Sequence, residues 1–133
     1  MSAVFADTFY FFALLNRADE AHFAASRFAA DGSKSLLTTA WVLTELADGL
    51  AETGGRTILN ALLLDLENDA RTQIIGANAE LWREGVVLYG ERPDKQWSLT
   101  DCISFVVMKK RGIQEALTAD HHFEQAGFTA LLK

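Results

Sequence analysis

Short apolar segments alternate with longer amphipathic segments along the chain, and this alternation restricts the fold more than any other feature of the sequence. The short segments have the length of buried β-strands, and the longer ones repeat apolar residues at helical spacing. A βαβ alternation predicts an α/β domain whose central, mainly parallel sheet is covered by helices on both faces. The five predicted strands are residues 2–7, 34–39, 72–77, 115–119 and 128–133.

Helices are predicted in the intervals between these strands and are interrupted mainly at glycines. With 133 residues the chain is long enough for one domain with a single core, and we expect residues 1–133 to form it. The seven predicted helices are residues 8–16, 18–32, 40–55, 56–70, 79–91, 98–112 and 120–127.

Cysteine content and charge exclude several classes of protein. Cys102 is the only cysteine, which excludes an internal disulfide and a cysteine-based zinc site. We expect a cytoplasmic protein without a membrane span. The net charge of −6 argues against a broad basic face for nucleic acid, although a bound cation can invert the field of an acidic cluster.

Four acidic residues stand where an α/β sheet commonly binds its ligand. Asp7 ends the first predicted strand and Asp120 ends the fourth. Ligands bind outside the carboxyl ends of parallel strands, so these two carboxylates face one crevice if the two strands are neighbours. Asp101 lies in the first turn of the helix that leads into the fourth strand, and Glu45 lies in the helix after the second.

Each of these acids also has a purely structural interpretation. Asp7 and Asp120 suit helix N-caps, where a carboxylate accepts a backbone N–H. Ser98 and Asp101 have the spacing of a capping box. Glu45 lies on a charged ridge of its helix, away from the apolar stripe. Taken singly, each residue is explained by its structural role.

The chain as a whole resembles a PIN-domain ribonuclease of the kind found as VapC-like toxins in bacterial toxin–antitoxin pairs. This resemblance implies a PIN-like three-layer domain with a central five-stranded sheet, and the activity of a metal-dependent endoribonuclease. The segments that carry the resemblance are "VFADTFYFFALLN", "LLTTAWVLTELADGL", "DKQWSLTDCISFVVM" and "ALTADHHFEQAGF".

The resemblance also assigns roles to individual residues. It matches four positions to the acidic catalytic quartet of the family, and two further positions to the hydroxyl residues that often accompany it. The quartet positions are Asp7, Glu45, Asp101 and Asp120, and the hydroxyl positions are Thr8 and Thr100.

Carboxylate ligands without cysteine favour Mg²⁺ or Mn²⁺ as the cofactor. We expect Asp7 and Asp101 to be the main metal ligands, with Asp120 and Glu45 binding the ion directly or through water. The consecutive histidines of the last motif, His121 and His122, point about 100° apart on a helix. We therefore expect surface or packing roles for them rather than metal ligation.

An acidic protein needs local contacts to hold RNA, and one segment offers them. Arg92 and Lys95 could neutralise phosphates, and an exposed Trp97 could stack on an unpaired base. The alternative is that Trp97 packs as a hydrophobic staple ahead of the Ser98 cap. Residues 58–66 form an aliphatic helical stripe, for which we expect a role in a homodimer contact or in binding a cognate antitoxin.

Three other functions fit parts of the sequence. A PIN scaffold that binds a partner or nucleic acid without cleavage would share every motif, and so would a DNA-directed nuclease. A phosphoacceptor receiver domain also places acids at strand ends. It requires an aspartate after the third strand, which the segment "TQIIGAN" lacks.

Overall fold

The computed structural model describes residues 2–133 as five strands and seven helices. The strands are β1 (Ser2–Ala6), β2 (Lys34–Thr39), β3 (Thr72–Ile75), β4 (Glu115–Leu117) and β5 (Thr129–Ala130). The helices are α1 (Thr8–Leu15), α2 (His22–Ala30), α3 (Ala40–Gly49), α4 (Gly55–Asn68), α5 (Ala79–Glu91), α6 (Leu99–Arg111) and α7 (His121–Gln125).

The five strands form one sheet in the order β3-β2-β1-β4-β5, and every neighbouring pair is parallel. The chain builds the sheet outward from β1 through β2 to β3, and then returns to the other side of β1 with β4. The strand order therefore reverses between β1 and β4, which is where doubly wound sheets bind ligands. The predicted fold class, including all five strands, is confirmed.

The central strand is the most deeply buried element of the sheet. Val4, Phe5 and Ala6 are fully buried, because helices cover β1 on both faces. The ring of Phe5 lies 6.5 Å from that of Phe123 on α7, which ties the end of the chain to the central strand. Ala6 pairs with Leu117, so the residues that follow β1 and β4 emerge side by side at one edge of the sheet.

The ends of several elements differ from the prediction. α2 begins at His22 rather than at residue 18, because the Asp19 carboxylate accepts the Ala21 N–H at 2.8 Å and forms a turn there. β5 contains only Thr129 and Ala130, not the six residues predicted. Within residues 2–133, no helix is long and apolar enough to cross a membrane.

Candidate active site

Asp7 lies between β1 and α1, and its carboxylate is the most deeply buried acid of the quartet. The side chain occupies the N-cap position of α1 but accepts no capping hydrogen bond, so the capping interpretation does not describe it. Its Oδ2 instead accepts a hydrogen bond from the Thr118 hydroxyl at 2.9 Å. The Thr118 Oγ1 in turn accepts the Asp120 N–H at 3.1 Å. One buried hydroxyl therefore joins the ends of β1 and β4.

Burial raises the pKa of Asp7 to about 7, well above the ordinary value for an aspartate. The hydrogen bond from Thr118 opposes this shift, while the nearby charges of Asp101 and Glu45 add to it. These charges show that Asp101 and Glu45 lie close enough to Asp7 to interact with it electrostatically. Either a proton or a cation bound at Asp7 would relieve the repulsion among these carboxylates.

Asp101 is both a structural cap and a member of the acidic cluster. Ser98 and Asp101 form the predicted capping box, because the Ser98 hydroxyl accepts the Asp101 N–H at 3.0 Å and Asp101 Oδ2 accepts the Ser98 N–H at 3.2 Å. Burial raises the pKa of Asp101, and the neighbouring charge of Asp120 acts in the same direction. The structural and functional interpretations of this residue are therefore compatible.

Asp120 caps α7 as predicted, since its Oδ1 accepts the His122 N–H at 2.9 Å. The His122 ring then lies between two acids: its Nδ1 is 3.2 Å from Asp101 Oδ2 and 3.5 Å from Asp120 Oδ1. His122 is therefore half-buried between the two acids, whereas His121 is exposed, as its expected surface role requires.

The two histidine rings lie closer together than the 100° rotation between their positions suggests. Donor atoms of Asp120, His121 and His122 lie within 4.8 Å of one another, and this is the only such set of three in the described part of the chain. The 100° rotation separates the directions in which the two side chains leave the helix. Both histidines follow the cap residue directly, so both rings can reach its carboxylate.

Glu45 extends from α3, which starts directly after β2 at the same edge of the sheet. Its side chain is exposed, as the predicted ridge requires, yet its charge contributes to the raised pKa of Asp7. Glu45 therefore lies on a solvent-facing ridge of α3 and is also close to the acidic cluster.

The two predicted hydroxyl residues lie next to the acids. Thr8 begins α1 and is 5% exposed, and its Oγ1 is the only buried side-chain polar atom without a hydrogen-bond partner among residues 2–133. A buried hydroxyl of this kind can bond to a water or an ion. Thr100 is half-buried in the first turn of α6, one residue before Asp101.

The charge balance of the cluster fits a hard divalent cation. None of the four carboxylates forms an ion pair with a lysine or arginine in the part of the chain that the structure describes. The quartet oxygens do not form a set within 4.8 Å, so an ion here would be held partly through waters, as Mg²⁺ commonly is. The unpartnered Thr8 hydroxyl is available to such a water.

The residues expected to hold RNA differ in their exposure and in their contacts. Trp97 is only 6% exposed, and its Nε1 donates to Gln125 Oε1 at 3.0 Å. The expected stacking on a base is wrong for this buried ring, which instead packs edge-on against Phe105 with the ring centroids 5.0 Å apart. Arg92 lies over the Trp97 ring at 5.1 Å and forms two hydrogen bonds with Asp94, at 3.0 and 2.9 Å. A phosphate would have to compete with Asp94 for this guanidinium.

A cavity of about 560 Å³ lies immediately beside Ser98. Lys95 and Arg92 contribute to its wall, together with the exposed ring of Tyr89. Because Ser98 is hydrogen-bonded to Asp101, this cavity adjoins the acidic cluster.

Sequence reasoning missed two residues of the site, Thr118 and His122. Thr118 stands two residues before Asp120 in the segment "LTAD", but a threonine at a strand end has no distinctive signal of its own. Its bond to Asp7 spans 111 positions of the chain and appears only when β1 and β4 are neighbours. The sequence places His122 two residues after Asp120, but its contact with Asp101 spans 21 positions and depends on the packing of α7 beside α6.

An unpaired acidic cluster at the switch point of a parallel sheet defines a class of α/β protein suited to binding divalent cations and phosphate esters. Comparison with known proteins identifies the family within this class. The family model described as PIN domain matches residues 4–129. The chain belongs to the PIN domain family, which confirms the predicted resemblance.

A curated relative covers almost the same length. The 23S rRNA-specific endonuclease VapC20 of Mycobacterium tuberculosis, from strains CDC 1551 / Oshkosh and ATCC 25618 / H37Rv, is 34% identical over 128 residues. The match covers 94% of this chain and 95% of VapC20. This chain is therefore homologous to a VapC endonuclease over almost the whole of the compared length.

Solved structures agree with this relationship. The crystal structure of Mycobacterium tuberculosis VapC20, described as a sarcin–ricin loop cleaving toxin, matches with a TM-score of 0.86 at 28% identity and covers 96% of this chain and 98% of that one. Rickettsia felis VapBC2, bound to a promoter DNA fragment, gives 0.68 at 14% identity, with 96% of each chain covered. Neisseria gonorrhoeae FitAcB gives 0.63 at 17%, covering 96% and 95%. The last two show the shared fold.

Proposed function

We propose that this protein is a metal-dependent endoribonuclease that acts as the toxin of a toxin–antitoxin pair. The observation that carries the proposal is the convergence of acids at the β1–β4 reversal without a lysine or arginine partner. Homology to VapC20 over nearly the whole chain supports the same activity. The proposed catalytic quartet is Asp7, Glu45, Asp101 and Asp120.

The four acids of the quartet would have different roles in binding a divalent ion. Asp7 and Asp101 would be the main ligands, and Asp120 and Glu45 would bind the ion directly or through water. Mg²⁺ or Mn²⁺ held there would supply positive charge for the phosphate and would lower the pKa of an attacking water. Thr118 fixes the orientation of Asp7 through its 2.9 Å hydrogen bond.

The protein also orients the second main ligand before any ion arrives. The capping box with Ser98 fixes the Asp101 carboxylate against the first turn of α6. The Thr8 hydroxyl, buried beside Asp7, would accept or donate a hydrogen bond to a bound water. Preorganised donors and ligands of this kind reduce the reorganisation that the reaction requires.

Substrate contacts would come from the cavity beside Ser98. Lys95 would neutralise a phosphate there, and Arg92 would contribute once a phosphate competes with Asp94. Few basic residues take part, which agrees with the net charge of −6. The substrate we propose is a structured loop of 23S rRNA, by homology to VapC20 and to its sarcin–ricin loop activity.

A substrate panel tests this proposal. Labelled RNA hairpins with the sarcin–ricin loop sequence, a scrambled hairpin of equal composition and a matched DNA would be incubated with purified protein in Mg²⁺, Mn²⁺ or EDTA. We expect cleavage of the loop RNA that requires metal and spares the DNA. Equal cleavage of DNA would support the DNA-directed alternative, and intact RNA in every metal would favour a scaffold that binds without cleavage.

The proposed partners are a cognate antitoxin and a second copy of the chain, in the cytoplasm. The helical stripe expected in α4 is only partly buried: Leu62 and Leu66 face the core, while Ile58 and Leu64 are exposed. α5 presents a larger apolar face, because Trp82, Val86 and Tyr89 are all exposed. Apolar surface on adjacent turns of a helix is typical of an interface. We propose that α5 forms the homodimer contact.

A further inference from the structure

Asp120, His121 and His122 form a compact set of side-chain donors at the start of α7, on the margin of the acidic cluster. Each residue offers one atom, and these atoms lie within 4.8 Å of one another. Two imidazoles and one carboxylate differ in chemistry from the all-carboxylate quartet. Imidazole nitrogen favours Zn²⁺ and later transition metals, whereas Mg²⁺ prefers oxygen ligands.

The spacing of these donors matches that of ligands to a single ion. Asp120 Oδ1 lies 3.6 Å from His121 Nδ1 and 3.5 Å from His122 Nδ1. Donors that bind a tetrahedral Zn²⁺ at about 2.0–2.1 Å are themselves separated by about 3.4 Å. Two edges of such a tetrahedron are therefore present within about 0.2 Å, and the donor atoms of the two imidazoles lie within 4.8 Å of each other.

The set is also preorganised. The backbone N–H of Asp120 donates to the buried Thr118 hydroxyl at 3.1 Å, and Asp120 Oδ1 accepts the His122 N–H at 2.9 Å. The two imidazole rings pack against each other with their centroids 4.4 Å apart. Because the carboxylate and the half-buried ring are already ordered, an ion would bind with little loss of side-chain entropy.

Hydrogen bonding alone is the competing explanation for His122. Its Nδ1 lies 3.2 Å from Asp101, at a distance suitable for a hydrogen bond. That contact gives no account of His121, whose ring is exposed and approaches the same Asp120 oxygen. In the described chain, neither Asp101 nor Asp120 pairs with a lysine or arginine.

We propose that Asp120, His121 and His122 form a nitrogen-rich site for a transition-metal ion of the Zn²⁺ or Co²⁺ class. Three protein ligands leave a fourth tetrahedral position open to water or to a phosphate oxygen. The site shares Asp120 with the carboxylate quartet but differs from it in metal preference. Binding of the ion does not depend on RNA cleavage, so this proposal can fail or succeed independently of the proposed function.

Direct metal titration tests the site. Untagged, metal-free protein would be titrated calorimetrically with Zn²⁺, and with Co²⁺ while its visible absorption is recorded. We expect one Zn²⁺ per chain, a tetrahedral Co²⁺ spectrum that Zn²⁺ removes, and only weak competition by millimolar Mg²⁺. Mg²⁺ that displaces Zn²⁺ at comparable concentration would overturn the proposal, since it would place the ion among the carboxylates.

Variants locate the ligands. H121A and H122A should each weaken Zn²⁺ binding by at least about tenfold. H22Q changes the only other histidine, whose Nδ1 bonds to the Ala13 carbonyl, and should leave Zn²⁺ affinity within about twofold. Unchanged Zn²⁺ affinity in the H121A/H122A double variant would refute the site.

NMR of the parent protein tests the site without any substitution, so its result does not depend on the stability of a variant. In parent protein labelled with ¹⁵N-histidine, the ring resonances of His121 and His122 should shift on addition of Zn²⁺, while those of His22 should not. Shifts confined to His22, or distributed equally over all three rings, would contradict the proposal.

Discussion

Thr118 connects two members of the acidic cluster through its hydroxyl group. It donates to Asp7 at 2.9 Å and accepts from the Asp120 N–H at 3.1 Å. Thr118→Val keeps the shape of the side chain and removes both bonds. We expect a loss of about 1–3 kcal/mol in the free energy of unfolding, together with a lower kcat and little change in KM.

A matched control variant distinguishes a positioning role of Thr118 in catalysis from a general loss of protein stability. Thr72→Val removes a hydroxyl that donates to Asp69 Oδ2 at 2.8 Å, at the opposite edge of the sheet. It should lower stability without lowering kcat. If both variants reduce kcat equally once each is fully folded, Thr118 has no positioning role.

Asp7 gives a pH dependence whose sign follows from its pKa. The pKa of the folded carboxyl is raised from 3.8 to about 7, so between about pH 4 and pH 7 the folded state holds a proton that the unfolded chain has released. The free energy of unfolding of the metal-free protein should therefore fall as pH rises through this window. The shift corresponds to at most about 4 kcal/mol.

Asp7→Asn removes this titration and isolates its contribution. In EDTA, urea denaturation should show the variant close to the parent near pH 4 and more stable than the parent at pH 8. A difference in stability that does not change with pH would show that Asp7 is ionised throughout the range.

At the residue scale, the sequence located acids at strand ends but could not show what surrounds them. Motif resemblance selected Glu45, whereas periodicity alone placed it on a solvated ridge. The bond from Thr118 to Asp7 and the burial of Trp97 depend on contacts between distant segments. Local patterns carry no information on such contacts.

At the scale of elements, helices α5 and α6 pack unusually closely at Gly85. A Cβ at this position would overlap Cγ1 of Ile103. Gly85→Ala should therefore lower the free energy of unfolding by about 1–3 kcal/mol. Gly90→Ala, on the same helix with open space around it, should be neutral or stabilising by up to about 1 kcal/mol. Equal effects of the two substitutions in chemical denaturation would contradict this packing.

Strand and helix types were predictable because apolar periodicity is a local property, and every predicted strand is present. The extent of β5 was not predictable, since only two residues of "FTALLK" pair with β4. The start of α2 depends on the turn that Asp19 forms, which competes with helix formation.

At the scale of the whole molecule, the apolar face of α5 predicts a dimer. Val86 is 41% exposed between Trp82 and Tyr89, so Val86→Asp should convert a dimer into a monomer in sedimentation experiments. Leu64→Asp, on α4, tests the other candidate helix. If only Leu64→Asp dissociates the dimer, the interface lies on α4 and not on α5. If the parent protein is itself a monomer, the proposed dimer is refuted.

The acidic cluster is proposed to cleave RNA with the help of a divalent ion. The most direct measurement is the single-turnover cleavage rate of a sarcin–ricin loop RNA by the parent, Asp101→Asn and Glu52→Gln, each in Mg²⁺ and in EDTA. Asparagine keeps an oxygen for the Ser98 N–H, and Glu52 is an exposed acid outside the cluster. We expect metal-dependent cleavage that Asp101→Asn reduces at least about 100-fold and Glu52→Gln leaves unchanged. Cleavage at the parental rate by Asp101→Asn, or in EDTA, would rule out the proposed role of the cluster.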